Sequence, residues 1–313
     1  MTSMMVYNFG SAILRAVGDT KRPLYYLSAA GVINIGLNLL FVIVFRMSVA
    51  GVALATVISE TISASLVIRC MMKENGSIRL TPSKLRIHPK RFAEILRIGL
   101  PASLQGVIFA ISNVIIQSSV NSFGSTVVAG NSAASNIEGF VYVSMNSFYQ
   151  GTISFTSQNV GAGKYERVNK ILFTAQACVI VTGLVLGNLA VFFGPDLLGF
   201  YTRSAAVKAA GMNRLKIICT VYALCGIMDV MVGSLRGLGY SVMPTIVSLI
   251  GACGLRLLWI FTFFRIYEQF HTPQSLYLTY PVSWIITICA HVVCFVIVRR
   301  RISRRLKTQS MAQ

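Results

Sequence analysis

Leu14-Arg15-Ala16-Val17-Gly18-Asp19-Thr20-Lys21-Arg22-Pro23 returns 221 residues later as Leu235-Arg236-Gly237-Leu238-Gly239-Tyr240-Ser241-Val242-Met243-Pro244. Each copy stands between two long apolar stretches. Gly18 and Gly239 suit the end of a helix, where a left-handed residue releases the chain. Pro23 and Pro244 suit the first turn of the next helix, where no N–H is needed. Arg15 and Arg236 would sit near a helix C-terminus, where positive charge is favoured and phosphate headgroups are close. These six residues are expected to build two equivalent tight connections, with a part in gating as the sharper reading.

Working outward, the flanks are too apolar for water. Charged residues make up 12% of the 313-residue chain and hydrophobic ones 55%, whereas a soluble domain carries about a quarter charged. Runs of roughly 20 apolar residues can cross a bilayer. We read spans at 24–45, 49–71, 95–120, 131–156, 170–193, 212–235, 243–266 and 276–298. Residues 1–14 read as the inner end of one more helix. They lack the basic start and cleavage site of a signal peptide.

The net charge of +19 could suggest nucleic acid. Its placement argues for membrane topology instead. Arg15, Lys21 and Arg22 share one connection. Eight basic residues from Arg69 to Arg97 surround another, Lys164, Arg167 and Lys170 a third, and Arg299–Arg301, Arg304, Arg305 and Lys307 form the tail. Residues 121–130 have none, although 201–216 carry four. The alternation follows the positive-inside rule and places the C-terminus in the cytoplasm of an inner or plasma membrane protein. The seven cysteines show no metal spacing and read as small packing residues.

The expected architecture is all-α and polytopic, with two pseudo-symmetric helical bundles. Residues 1–72 would be the end of one helix plus two spans, 73–94 a basic linker, 95–300 a complete six-helix lobe and 301–313 a basic tail. An even number of spans separates the two copies, so the repeat is parallel. Equal lobes would place ~130 residues before Met1 in a full protein. A short amphipathic surface helix is predicted around 83–94.

Three of the nine acidic residues fall inside spans: Glu60, Glu138 and Asp229. A carboxylate in a bilayer usually faces a cavity or a partner. Helical rise places Glu60 and Glu138 roughly 12–17 Å from the outer surface and Asp229 roughly 10 Å from the inner helix end. All three are candidates to carry a coupling proton or cation, with Arg256 the expected ion-pair partner at the level of Glu138. Gln105, Asn113, Gln117 and Asn121 recur at multiples of four and share one helix face. Glu138, Tyr142, Met145 and Tyr149 form a stripe on the next helix, with Asn146 beside it. Two polar faces in lipid argue for a central cavity. Met145 and Met228 with Tyr142 and Tyr149 would give it adaptable walls for organic cations.

Enzyme signals are weak: the three histidines are scattered, and no HExxH or GxSxG occurs. Gln158-Asn159-Val160-Gly161-Ala162-Gly163-Lys164 lacks the strand and the Lys-Ser/Thr ending of a phosphate loop, so its glycines read as a tight turn. No cofactor or metal is expected.

Ile13–Pro23, Asn34-Ile35, Gly51-Val52-Ala53-Leu54-Ala55-Thr56, Gln158–Lys164 and Gly233-Ser234-Leu235-Arg236-Gly237-Leu238-Gly239 together resemble the multidrug and toxic compound extrusion (MATE) transporters. The resemblance covers nearly the whole chain. It implies twelve helices in two bundles around a cavity open alternately to each side. It also implies export of organic, often cationic, compounds in exchange for H+ or Na+. The expected partners are small organic cations or drugs and membrane lipids, with no nucleic acid, and a monomer is expected. The acidic residue that one branch carries on its seventh helix, eight positions after the proline, is Phe109 here. The tenth-helix acid of that branch falls near Cys225, one turn from Asp229. Two other readings are a lipid-linked oligosaccharide flippase of the same superfamily and an inactive truncated remnant. The flippase would want a strongly cationic cavity, whereas the deep charges read here are mainly acidic, with Arg256 the exception.

Overall fold

A computed structural model describes residues 1–76 and 78–311; from 305 onward, Arg305 and Lys307 of the basic tail included, side chains lie outside the described residues, as do residues 312 and 313. Among the described residues the regular structure is entirely helical: α1 (Thr2–Ala16), α2 (Lys21–Val44), α3 (Ser48–Lys73), α4 (Pro89–Asn121), α5 (Ser125–Gly161), α6 (Arg167–Phe192), α7 (Gly194–Gly199), α8 (Ala205–Ile218), α9 (Ala223–Gly237), α10 (Val242–Phe264) and α11 (Pro273–Met311). The chain divides into two compact units, Met1–His88 and Pro89–Gln313.

Six of these helices are long and apolar enough to cross a membrane, and a seventh span results if α8 and α9 count as one. α5 reaches 37 residues yet is too polar to qualify by that measure. Large apolar side chains such as Phe140, Phe173 and Phe192 point outward with more than 70% of their surface exposed. Only hydrocarbon solvates such a surface without penalty. The protein is therefore integral to a membrane.

In the first unit α3 packs on α1 and α2, around buried Leu14, Val67, Cys70 and Met71. The α1–α2 connection has the form read from the repeat. Gly18 adopts φ +92°. Its N–H donates to the Arg15 carbonyl at 3.0 Å and that of Asp19 to the Leu14 carbonyl at 3.0 Å. This is the paired pattern of a Schellman ending. Pro23 is buried, and its carbonyl accepts from the Tyr7 hydroxyl at 2.9 Å. Arg22 ion-pairs with both Asp19 and Glu74 and so ties the connection to the end of α3.

The second unit repeats the pattern at the end of α9. Gly239 adopts φ +87°, its N–H donates to the Arg236 carbonyl at 2.9 Å, and that of Tyr240 to the Leu235 carbonyl at 3.0 Å. Leu14 and Leu235 are both fully buried. The equivalence extends further. α2 closes on a π-helical turn at Leu40–Val44, and α10 closes on one at Ile260–Phe264. In the following helices Ser59 donates to the Thr56 carbonyl and accepts from Asn34, while Ser283 donates to the Tyr280 carbonyl and accepts from Arg256.

Within this unit α5 is central, packing on α6, α8 and α9. α9 runs parallel to it at close range: a Cβ added at Gly233 would meet the Tyr149 backbone, and one at Gly237 the Thr156 side chain. Small residues at spacing four allow this approach in lipid, where packing rather than water drives helix association.

Four expectations change. Pro101 lies inside α4, which starts at Pro89 rather than near residue 95. No separate helix forms over 83–94: Pro82–Lys84 make one 3-10 turn, 85–88 are irregular, and 89–94 begin α4. The Pro89 ring suits a helix start, and Leu100 and Pro101 continue an already formed helix. The span read at 212–235 is broken. α8 and α9 meet at a 3-10 turn, Cys219–Val221, with a bend of 48°. The tail read as separate from 301 continues α11.

At the break, Gly187 of α6 lies against the Cys219 carbonyl, where an added methyl would collide with backbone. Gly187→Ala is expected to cost about 1–3 kcal/mol through overpacking. Gly139→Ala, at a position with open space around it, should leave stability within about 0.5 kcal/mol of the parent. Thermal unfolding of the two variants in the same detergent checks the difference.

Candidate functional site

Six helices of the second unit, α8 through Ile218 among them, line a cavity of about 430 Å³. That is large enough for a small organic molecule. α4 contributes Gln105, Phe109 and Asn113, four residues apart and therefore on one face. α5 contributes Glu138, Tyr142, Asn146 and Tyr149; α9 contributes Cys225, Met228, Asp229, Val232 and Arg236. Arg256 enters from α10, and Tyr280 and Trp284 from α11.

Two residues expected in the cavity lie elsewhere. Met145 is 1% exposed and fills the space where Gly183 and Gly226 bring α6 and α9 onto α5. It is core. The helical stripe from Glu138 to Tyr149 is wider than the strip facing the cavity, so its middle member turns inward. Gln117 is half-buried and accepts from Asn131 at 2.9 Å while donating to Asn121 at 3.1 Å. Glu60 lies on α3 in the other unit, half-buried, and forms no ion pair among the described residues.

The expected pairing of Glu138 with Arg256 is also corrected. Glu138 pairs with Arg214 of α8, a residue the sequence reading passed over. Arg214 Nε donates to one carboxylate oxygen and Nη2 to the other, both at 2.7 Å. Its Nη1 donates to the Asn131 side chain at 2.7 Å. The two partners are 5% and 7% exposed, so the pair is a fork–fork contact in low dielectric. Asn131 passes the network on to Gln117 and Asn121. The available signal was an arginine among Leu215, Ile217 and Ile218 on an apolar helix.

Arg256 is 5% exposed and donates Nε–H to the Ser283 hydroxyl at 2.9 Å. Its guanidinium carbon lies 4.0 Å from the Tyr280 ring centre and 5.8 Å from that of Trp284. Arg236, read as a connection residue near headgroups, turns into the cavity. It donates to Gln105 at 2.9 Å and Thr245 at 3.4 Å, and also to the Tyr149 hydroxyl. Gly239 and the buried Pro244 keep the roles in the turn that their spacing predicts. Arg15, the counterpart of Arg236, donates Nε–H to the Ser11 carbonyl at 3.3 Å.

Asp229 lies two helical turns before Arg236 on the same face of α9. It is half-buried, Tyr142 is its polar neighbour, and it forms no ion pair among the described residues. The charges gathered at and beside the cavity are thus Glu138, Asp229, Arg214, Arg236 and Arg256. The premise of a mainly acidic interior gives way to one with an arginine majority.

Fold and site together define a polytopic helical membrane protein with a charged cavity inside one unit. The MatE family model matches residues 101–262. The chain belongs to the multidrug and toxic compound extrusion family. It is similar to the probable multidrug resistance protein YpnP of Bacillus subtilis strain 168, 30% identical over 286 residues that cover 91% of this chain and 62% of that protein. It is also similar to the probable multidrug resistance protein YoeA of the same organism, 25% identical over 82% of this chain and 57% of that one. The chain therefore spans less than two thirds of the length of these curated relatives. The bent form of the Vibrio cholerae MATE transporter VcmN shares the fold with a TM-score of 0.83, at 19% identity, over 96% of this chain and 67% of that structure.

The Glu138–Arg214 pair sets a clear expectation for stability. Arg214→Met, which strands the buried carboxylate, should cost about 3–5 kcal/mol. Adding Glu138→Gln to it should restore most of that loss, because a neutral amide replaces the stranded charge. Thermal melts of the two single variants and the double variant form the cycle that measures this coupling.

Proposed function

We propose that the protein exports small amphipathic organic compounds across the cell membrane by exchange with H+ or Na+, and that Asp229 holds the coupling ion. The observation that carries this reading is the state of Asp229: a carboxylate lining the cavity with no cationic side chain at ion-pairing distance among the described residues. Its charge is open to a proton or a sodium ion. Glu138, whose two oxygens are engaged by Arg214, serves as a structural ion.

The family relationship and the multidrug-resistance names of the relatives support an exporter of small compounds. In this mechanism the coupling ion and the substrate bias one equilibrium between two arrangements of the helices. Ion binding at Asp229 favours one arrangement and substrate in the cavity the other. Access alternates as the bundles rock. The basic connections and the C-terminus would face the cytoplasm. Because arginines outnumber acids around the cavity, Asp229 is assigned to the ion rather than to the charge of a cationic drug.

Efflux from liposomes under an imposed pH or Na+ gradient tests the proposal, with ethidium as cationic and fluorescein as anionic probe. Gradient-driven export of either dye is expected, falling about tenfold or more in Asp229→Asn. Equal gradient-driven rates in parent and variant would remove Asp229 from the mechanism.

A further inference from the structure

Arg256 is a buried cation that forms no ion pair among the described residues. It lines the cavity and is 5% exposed. Nε is tied to Ser283, and no other hydrogen bond from the guanidinium is made among the described residues. Both Nη groups of the fork are therefore unclaimed. Glu138, which lines the same cavity, cannot serve: both its oxygens already accept from Arg214. Aromatic faces support the cation from one side. Tyr280 is within cation–π reach of two guanidinium groups, 4.0 Å from Arg256 and 5.5 Å from Arg214 measured to the ring centre. Cation–π contact offsets part of the cost of burial. It does not use the planar fork, whose geometry matches a carboxylate or phosphate.

The surroundings suit a ring attached to that oxyanion. Tyr222 and Tyr280 both lie against Trp284, with ring centres 5.6 and 6.0 Å apart, and Phe109 faces the same cavity from α4.

We propose that Arg256 is the anion subsite of the cavity, with Ser283 setting its orientation, and that the favoured ligand is a small aromatic compound bearing a carboxylate or phosphate. The assignment deepens the exporter reading by naming its substrate class, and it rests on that reading only for the ligand's later passage across the membrane. Asp229, in the same cavity, is a like charge that such a ligand must approach. Within one arrangement of the helices, neutralising Asp229 would thus favour anion binding, while exchange rests on the ion and the ligand favouring different arrangements.

Trp284 gives a local readout, since Trp259 is the only other tryptophan. In a Trp259→Phe background in phosphatidylcholine nanodiscs, phenyl phosphate and phenyltrimethylammonium are titrated against Trp284 emission. Phenyl phosphate is expected to saturate at concentrations at least tenfold lower than the cation. Arg256→Gln should abolish that preference by weakening phenyl phosphate about tenfold or more, and Arg256→Lys, which keeps the charge but not the fork, should fall between. Asp229→Asn should tighten phenyl phosphate a few-fold, and this arm decides the matter if Arg256→Gln does not fold. Preference for the cation, phenyl phosphate binding indifferent to Arg256→Gln, or no tightening in Asp229→Asn would overturn the subsite. So would displacement of phenyl phosphate by phosphatidylglycerol at equal phosphate concentration, which would assign the site to lipid. Binding is measured without flux, so a failure of dye export leaves this result standing, and failure of binding leaves export to be explained by other contacts.

Discussion

A carboxylate in hydrocarbon must be neutralised, hydrated or paired, and Glu138 is paired. It lies on the central helix of the second unit and receives both arms of Arg214 from α8. Asn131, one helical stretch earlier on α5, takes the third donor. The same contact holds α8 against α5, where Gly130 and Gly211 also permit close approach. Removing two charges from water is expensive, and a fork bound through all three of its nitrogens returns much of that cost. The pair therefore specifies where the first half of the broken α8–α9 segment sits. The cavity forms beside it, between that fixed layer and α4.

Around this anchor the remaining charges divide by what holds them. Arg236 is held by Gln105, Thr245 and Tyr149, neutral partners that orient it without cancelling its charge. Arg256 is held by one serine and two aromatic faces. Asp229 has Tyr142 as its polar neighbour and feels the charge of Arg236 along α9. Among the described residues the interior so combines one ion pair with three charges that form none, and a site of that kind responds to whatever ion or ligand enters it.

Much of this architecture was legible in the chain because it is encoded locally. The repeated glycine and proline positions describe a helix ending that depends on residues within five of one another, and both copies adopt it. The polar residues of α4 and α5 stood out against an apolar background, so the walls of a cavity could be named before their arrangement was known. The Glu138–Arg214 pair was not legible. Its partners are separated by 76 residues, and nothing in the local pattern distinguishes Arg214 from Arg256 as the deeper match. Met145 fell on the wrong side because helical periodicity defines a face about 100° wide, while packing decides which edge of it turns inward. The break between α8 and α9 lacks a proline or a glycine pair to mark it; its neighbour Gly187 comes from another helix.

Gly226, Gly233 and Gly237 fit α9 closely into α5 and α6. Rotating the helix by one residue, about 100°, would thrust a side chain into a place that has room only for hydrogen. The azimuth of Asp229 and Arg236 is thereby locked by positions that carry no side chain. An electrical change at Asp229 must then be accommodated by the shells of residues around it, because the rod bearing it has no freedom to swivel.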